Sequence, residues 1–197
     1  MTKRRVFYSF HFDNDVMRVQ QVRNMGALEG NEPVSVNDWE EVKKKGDDSI
    51  KKWIEDNMSG RSCVVVLVGE ETANRKWCKY EIQKAWDDGK GLVGIYIHNL
   101  NCPNNGKSKK GSNPFEQFEI EDGSKMSTIV KCHNPDSSDA YNDIKENIED
   151  WIEDAIEARK NGGGQNAACL ANLISVKSDP GAVEKRGGGR YGGRRFA

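Results

Sequence analysis

Hydrophobic positions recur at two periods along this chain, and the two periods alternate. Arg5 to Phe10 is rich in β-formers and reads as a first strand that runs into a Ser9-Phe10-His11 loop. Asp13 or Asn14 can cap a following helix to about Met25, with Val16, Val19 and Val22 turned toward a sheet. Gly26, Gly30, Asn31 and Pro33 break the chain, and Val34 to Trp39 then alternates apolar and polar as a short strand ending in Asp38 and Trp39. Asp47 and Asp48 start a helix through Met58 whose Ile50, Trp53, Ile54 and Met58 face inward. Ser62 to Val68 is apolar on both faces, as a central parallel strand covered by helices must be.

The next helix opens at Asn74 to Ile82 and buries Cys78, Ile82 and Ala85, before Gly89 and Gly91 stop it. Leu92 to Ile97 is a fourth buried strand, and Thr128 to Cys132 a weak fifth. Ser137 or Ser138 caps a last helix with one continuous face of Tyr141, Ile144, Ile148, Trp151, Ile152, Ala155 and Ile156. Strand and helix alternating five times predict an α/β fold with a doubly wound, mostly parallel five-stranded sheet between two helical layers. The polar stretch Asn99 to Ser127 stands outside this pattern, and loops of that length are expected to be functional lids or disordered inserts.

At Asn161 the pattern ends. Residues 1–160 read as one folded domain, and residues 161–197 as a Gly/Arg-rich tail too poor in apolar residues to order itself. Arg-Gly segments with an aromatic can bind single-stranded nucleic acid, but a solvated linker is the favoured reading of this tail. The formal net charge of −1 draws the 197-residue chain to neither nucleic acid nor membrane. No run is long enough to span a bilayer, and the five cysteines are scattered, without Cys-x-x-Cys or a Cys/His ligand set. A cytoplasmic protein without metal or disulfide framework is expected.

The candidate chemistry lies at the carboxyl edge of the sheet, where open α/β folds bind ligands. Trp77 and Glu81 are four residues apart on the helix after the central strand and share one face. An acid beside an indole at such a rim is a candidate site. The bland reading is a half-buried Trp with a solvated Glu. Other α/β classes lack their marks: the third strand ends without the Asp of a phosphate-accepting receiver, and no dinucleotide or phosphate-loop fingerprint occurs.

The run Trp77-Cys78-x-x-Glu81 resembles the third helix of TIR domains, flavodoxin-like modules of which some cleave NAD+. Val6-Phe7-Tyr8-Ser9-Phe10, Arg75-x-Trp77-x-x-Tyr80-Glu81-Ile82, and Lys107-Ser108-Lys109 with Asn113-Pro114-Phe115 are closer still to the TIR-like family of bacterial Thoeris anti-phage systems. The resemblance covers roughly residues 4 to 156. It implies an enzyme that breaks the nicotinamide–ribose bond of NAD+, a substrate rather than a cofactor, with Glu81 catalytic. It places Ser9, Phe10, His11, Asp38, Trp39, Trp77, Asn113 and Phe115 around the substrate. It further implies a nucleotide product, cyclic in form, passed to a downstream effector. A non-catalytic TIR interaction module is the alternative, and whether the protein assembles with copies of itself is open.

Overall fold

The computed structural model describes residues 4–26, 41–42, 44–120 and 123–162. Its elements run β1 (Val6–Ser9), α1 (Phe12–Asn24), α2 (Asp47–Met58), β2 (Cys63–Val68), α3 (Lys76–Asp87), β3 (Gly91–Tyr96), β4 (Cys132–His133) and α4 (Ala140–Gly162). The four strands among the described residues lie side by side in the order β1-β2-β3-β4, all parallel. Ser9 pairs with Val66, and Val68 with Tyr96. The expected strand at Val34 to Trp39 falls outside the described residues, as does the tail from Gly163 onward.

Strand β2 organises the core because it is buried along its whole length. Its side chains alternate between the two faces, as the pleat requires. Val64, Val66 and Val68 meet Ile50, Ile54 and Met58 of α2 and Ile82, Ala85 and Trp86 of α3. Cys63, Val65 and Leu67 meet Val19 and Val22 of α1 and Ile144, Ile148, Ile152 and Ile156 of α4. The result is the expected three-layer α/β architecture.

Three local expectations are corrected. Helix α1 starts at Phe12, with His11 at the capping position and the Asp15 amide donating to the His11 carbonyl at 3.0 Å, so neither Asp13 nor Asn14 is its cap. The last strand is only Cys132–His133, because Met126–Thr128 coils into a 3-10 turn in which Thr128 Oγ1 donates to the Lys125 carbonyl at 2.7 Å. The cap of α4 is Asp139, whose carboxylate accepts from the Asn142 amide at 3.3 Å, rather than either preceding serine.

The long stretch after β3 is not a loose insert. Phe115, Phe118, Ile120 and Met126 sit in the core. Gln117 Nε2 donates to the Ala73 carbonyl at 2.6 Å, which ties the loop to the turn before α3. Side chains spaced too irregularly to mark an element still supply the apolar area that anchors it.

Candidate active site

The chain leaves β2 through a built turn. The Gly69 amide donates to Thr72 Oγ1 at 2.9 Å, Thr72–Asn74 makes one 3-10 turn, and Arg75 in extended conformation starts α3. This turn sets the rotation of α3. Cys78, Ile82 and Ala85 are buried as the spacing predicts. Glu81 goes inward with them and is only 7% exposed. Trp77, in the first turn, is half-buried, with Tyr80 edge-on at 6.1 Å and Lys76 Nζ 4.7 Å from its ring. Tyr80 in turn donates to Glu55 of α2 at 2.6 Å, so the aromatic pair braces α3 on α2.

The Glu81 carboxyl meets Ser9, the last residue of β1, which is wholly buried. Burial pushes the Glu81 pKa up to about 8, and the Ser9 hydroxyl pulls it partly back. The hydroxyl lies near enough to favour the carboxylate, yet Ser9 Oγ completes no well-formed hydrogen bond. Glu81 is therefore a buried acid without a cationic partner among the groups that shift it. A carboxyl held near neutrality by burial, at the carboxyl edge of a parallel sheet, is the profile of a functional group rather than of a structural ion pair.

His11 forms the roof with charged neighbours. It is 7% exposed, with Asp13 Oδ2 at 3.7 Å from Nε2 and Glu71 Oε2 at 3.9 Å from Nδ1. Glu71 also pairs with Arg75 and accepts from Asn14 Nδ2 at 3.2 Å. Phe10 packs against the α1–α4 side of the core. Asn113 Oδ1 accepts from the Phe115 amide at 3.0 Å and so caps the 3-10 turn Pro114–Gln117, while Phe115 is fully buried in the other core cluster. Ser9 and Glu81 meet at the edge, His11 follows Ser9 in the next loop and Trp77 lies one turn before Glu81 on α3, while Phe10, Asn113 and Phe115 hold loops at the same end of the sheet. Asp38 and Trp39 lie outside the described residues.

Sequence reasoning missed a buried pair beneath this roof. Asp15 and Arg18 are 2% and 4% exposed, and Asp15 Oδ1 lies 3.3 Å from Arg18 Nη1. Arg18 also donates to the carbonyls of Leu100 at 3.1 Å and Gly106 at 2.9 Å, clamping the loop after β3 onto α1. Asp15 leans on the end of β2 so closely that a Cβ at Gly69 would stand 2.0 Å from its Oδ2, which only glycine tolerates. Burial raises the Asp15 pKa and Arg18 offsets part of the rise. The signal was in the spacing: Asp15 and Arg18 share one helical face with Val19 and Val22.

Among the described residues no cluster of His, Cys, Asp or Glu could hold a metal ion, and no helix is long and apolar enough to cross a membrane. Burial raises the Cys63 thiol to about 12 and the Cys78 thiol further, so both are inert packing groups.

A parallel α/β sheet with a buried glutamate on the helix after β2 defines the class. Residues 7–102 match the family described as the Thoeris protein ThsB, TIR-like domain. A relative from Bacillus cereus (strain MSX-D12) is 34% identical over 118 residues, and its name proposes it as a cyclic ADP-D-ribose synthase, ThsB1. That match covers 57% of this chain and 62% of the relative, so the chain spans less than two thirds of the relative's length.

Proposed function

We propose that this protein cleaves the bond between nicotinamide and ribose in NAD+ and converts the ADP-ribosyl part into a cyclic signalling nucleotide in anti-phage defence. One observation carries the reading: Glu81 is buried against Ser9 at the carboxyl edge, its pKa pushed up to about 8, with no cation of the described residues among the groups that shift it. The Thoeris TIR-like family match and the name of the Bacillus cereus relative support the same chemistry.

The substrate supplies what the site lacks. Its nicotinamide ring is cationic, and its approach favours the carboxylate over the neutral acid, so binding and ionisation of Glu81 reinforce each other. When the C–N bond breaks, its electron pair leaves on nicotinamide as a neutral pyridine, and no general acid is needed. Positive charge grows at the ribose anomeric carbon, where ionised Glu81 stabilises it. A fixed charge in a water-poor site does this better than bulk solvent. The Ser9 hydroxyl beside it favours the carboxylate form, and Trp77 and His11 wall the substrate.

Cyclisation requires that a nucleophile of the adenine end, not water, capture the cation. The loop after β3, rooted in the core by Phe115 and Phe118, is the segment that would keep water from the cation. The adenine nitrogen then forms the new C–N bond as the oxocarbenium is quenched. An effector that reads the product is the implied partner.

The test is to incubate the full-length protein with NAD+ and identify products by mass spectrometry, then add the small-molecule filtrate to the effector encoded beside it. Nicotinamide with a cyclic product and a switched-on effector is expected. Linear ADP-ribose alone, with a silent effector, would overturn the signalling part. Intact NAD+ would overturn the enzyme.

A further inference from the structure

A second polar cluster sits at the same sheet edge, two residues beyond β3, and the Glu81 chemistry makes no use of it. Tyr96 ends β3, and the His98 ring stands edge-on to it with centroids 5.9 Å apart. Lys110 returns from the loop to place Nζ 4.3 Å from the centre of the Tyr96 ring. Ser108 is drawn to the same point, because its amide donates to the His98 carbonyl at 3.0 Å. Two side-chain atoms here, His98 Nδ1 and Ser108 Oγ, are shielded from solvent and have no hydrogen-bond partner. Buried polar atoms without partners are costly and rare, and two in one turn ask for a reason.

The local field shows what would suit them. Burial lowers the His98 pKa, and the nearby cations Lys110, Lys107 and Arg18 lower it further, so the neutral imidazole is favoured. Lys107 Nζ donates to the Ser137 carbonyl at 2.6 Å, and Arg18 is committed to Asp15 and two carbonyls. Lys110 lies on a ring face beside the orphaned pair. The Tyr96 hydroxyl is acted on by Cys132 and, more weakly, by Glu116. A neutral imidazole N–H, a hydroxyl and an ammonium group are donors that phosphate oxygens accept from.

We propose that His98, Ser108 and Lys110 form a phosphate-binding subsite that takes the pyrophosphate of the dinucleotide whose ribosyl end lies at Glu81. This rests on the NAD+ reading above. The loop carrying Ser108 and Lys110 doubles back onto the end of β2, where a Cβ at Gly111 would lie 2.0 Å from the Gly69 carbonyl oxygen. Strand β2 separates β1, which ends at Ser9, from β3, which leads to His98. Two strand spacings put the clusters about 10 Å apart along the edge, a span that one extended dinucleotide bridges.

The experiment titrates inorganic pyrophosphate, orthophosphate and NAD+ into full-length Glu81→Gln protein by calorimetry, and repeats this with Lys110→Ala, Ser108→Ala and Lys110→Arg added. Steady-state kinetics on the same changes in the Glu81 protein complete the set. Pyrophosphate should bind in competition with NAD+. Lys110→Ala and Ser108→Ala should each weaken both ligands about tenfold, and Lys110→Arg should restore most of the loss. In turnover, KM should rise about tenfold with kcat little changed, the mark of lost uniform binding. The inference is overturned if the alanine changes leave pyrophosphate binding and KM as they were. It is also overturned if orthophosphate binds as tightly as pyrophosphate and NAD+ displaces neither, which would mark a free-anion site. A protein that cleaves NAD+ with unchanged KM in both variants refutes this inference alone. A Glu81 protein that neither binds nor cleaves NAD+ refutes the reading beneath it. Lys110 is exposed, and the arginine change guards against a folding artefact.

Discussion

Ser9 and Glu81 meet inside the protein: the last residue of β1 lies against a carboxyl in the second turn of α3, one wholly buried and the other nearly so. Among the described residues, no cation is among the groups that shift the Glu81 carboxyl. Burial stores a tendency to hold a proton, and a cationic substrate releases it. Three of the predictions below follow from that relationship.

Glu81→Gln should abolish NAD+ cleavage, by at least 10²–10³-fold, while leaving the fold intact. Glutamine keeps the shape and the hydrogen-bonding reach but not the charge. Nicotinamide release and circular dichroism measured on one preparation decide it. A folded Glu81→Gln protein with full turnover would remove Glu81 from the catalytic role, and a signalling activity that survives without cleavage would favour the interaction-module alternative.

The activity should depend on pH through the same group. kcat/KM reports the free enzyme, where Glu81 titrates near 8, so it should rise with pH and level off above that value. kcat reports the complex, where the cationic ring favours the carboxylate, so its midpoint should lie lower. A profile of kcat/KM flat from pH 6 to 9 would contradict the ionisation step.

Stability should move the opposite way. The folded pKa of Glu81, about 8, exceeds its ordinary value of 4.5, so the folded state keeps a proton that the unfolded chain has lost. Stability therefore falls as pH rises from about 4.5 to about 8, by a few kcal/mol in all, and is flat on either side as far as this group is concerned. Asp15 pushes in the same direction but is common to both proteins, so comparing wild type with Glu81→Gln isolates Glu81. The melting temperature of the Gln protein should gain on wild type across that window. A constant difference would show that Glu81 is not the buried acid described.

The sequence made some of this legible and left other parts closed, for physical reasons. Cys63 to Val68 declares a central strand because it is apolar on both faces, and Cys78, Ile82 and Ala85 declare the buried side of α3 by their spacing. Spacing sets a shared face but not a depth, so the burial of Glu81 against Ser9 could not be read from it. Asp15 and Arg18 hid for the complementary reason: charged residues on an inward face look like solvated ones until Leu100 and Gly106 supply their partners. Phe115, Phe118, Ile120 and Met126 follow no period, and a well-rooted loop therefore read as a lid or an insert.

Arg18→Ala should destabilise the protein and disturb the site at once. The change removes the cation paired with Asp15 and three hydrogen bonds, two of them to the loop after β3. Breaking a buried pair by deleting one partner costs about 3–5 kcal/mol, since the survivor keeps its desolvation without its compensation. Asp15 escapes part of that cost by taking up a proton, because burial already raises its pKa. Arg18→Ala should accordingly lose most of its stability above neutral pH and recover some under mild acid. The double change Asp15→Asn/Arg18→Met, which leaves no charge behind, should be more stable than Arg18→Ala alone. Both proteins should lose the clamp on the loop between Leu100 and Gly106, and amide exchange there should quicken. Urea unfolding at pH 6 and pH 8.5 measures the first effect, and hydrogen exchange over residues 100–106 the second. If Arg18→Ala unfolds like wild type at both values, the pair does not hold the loop to α1.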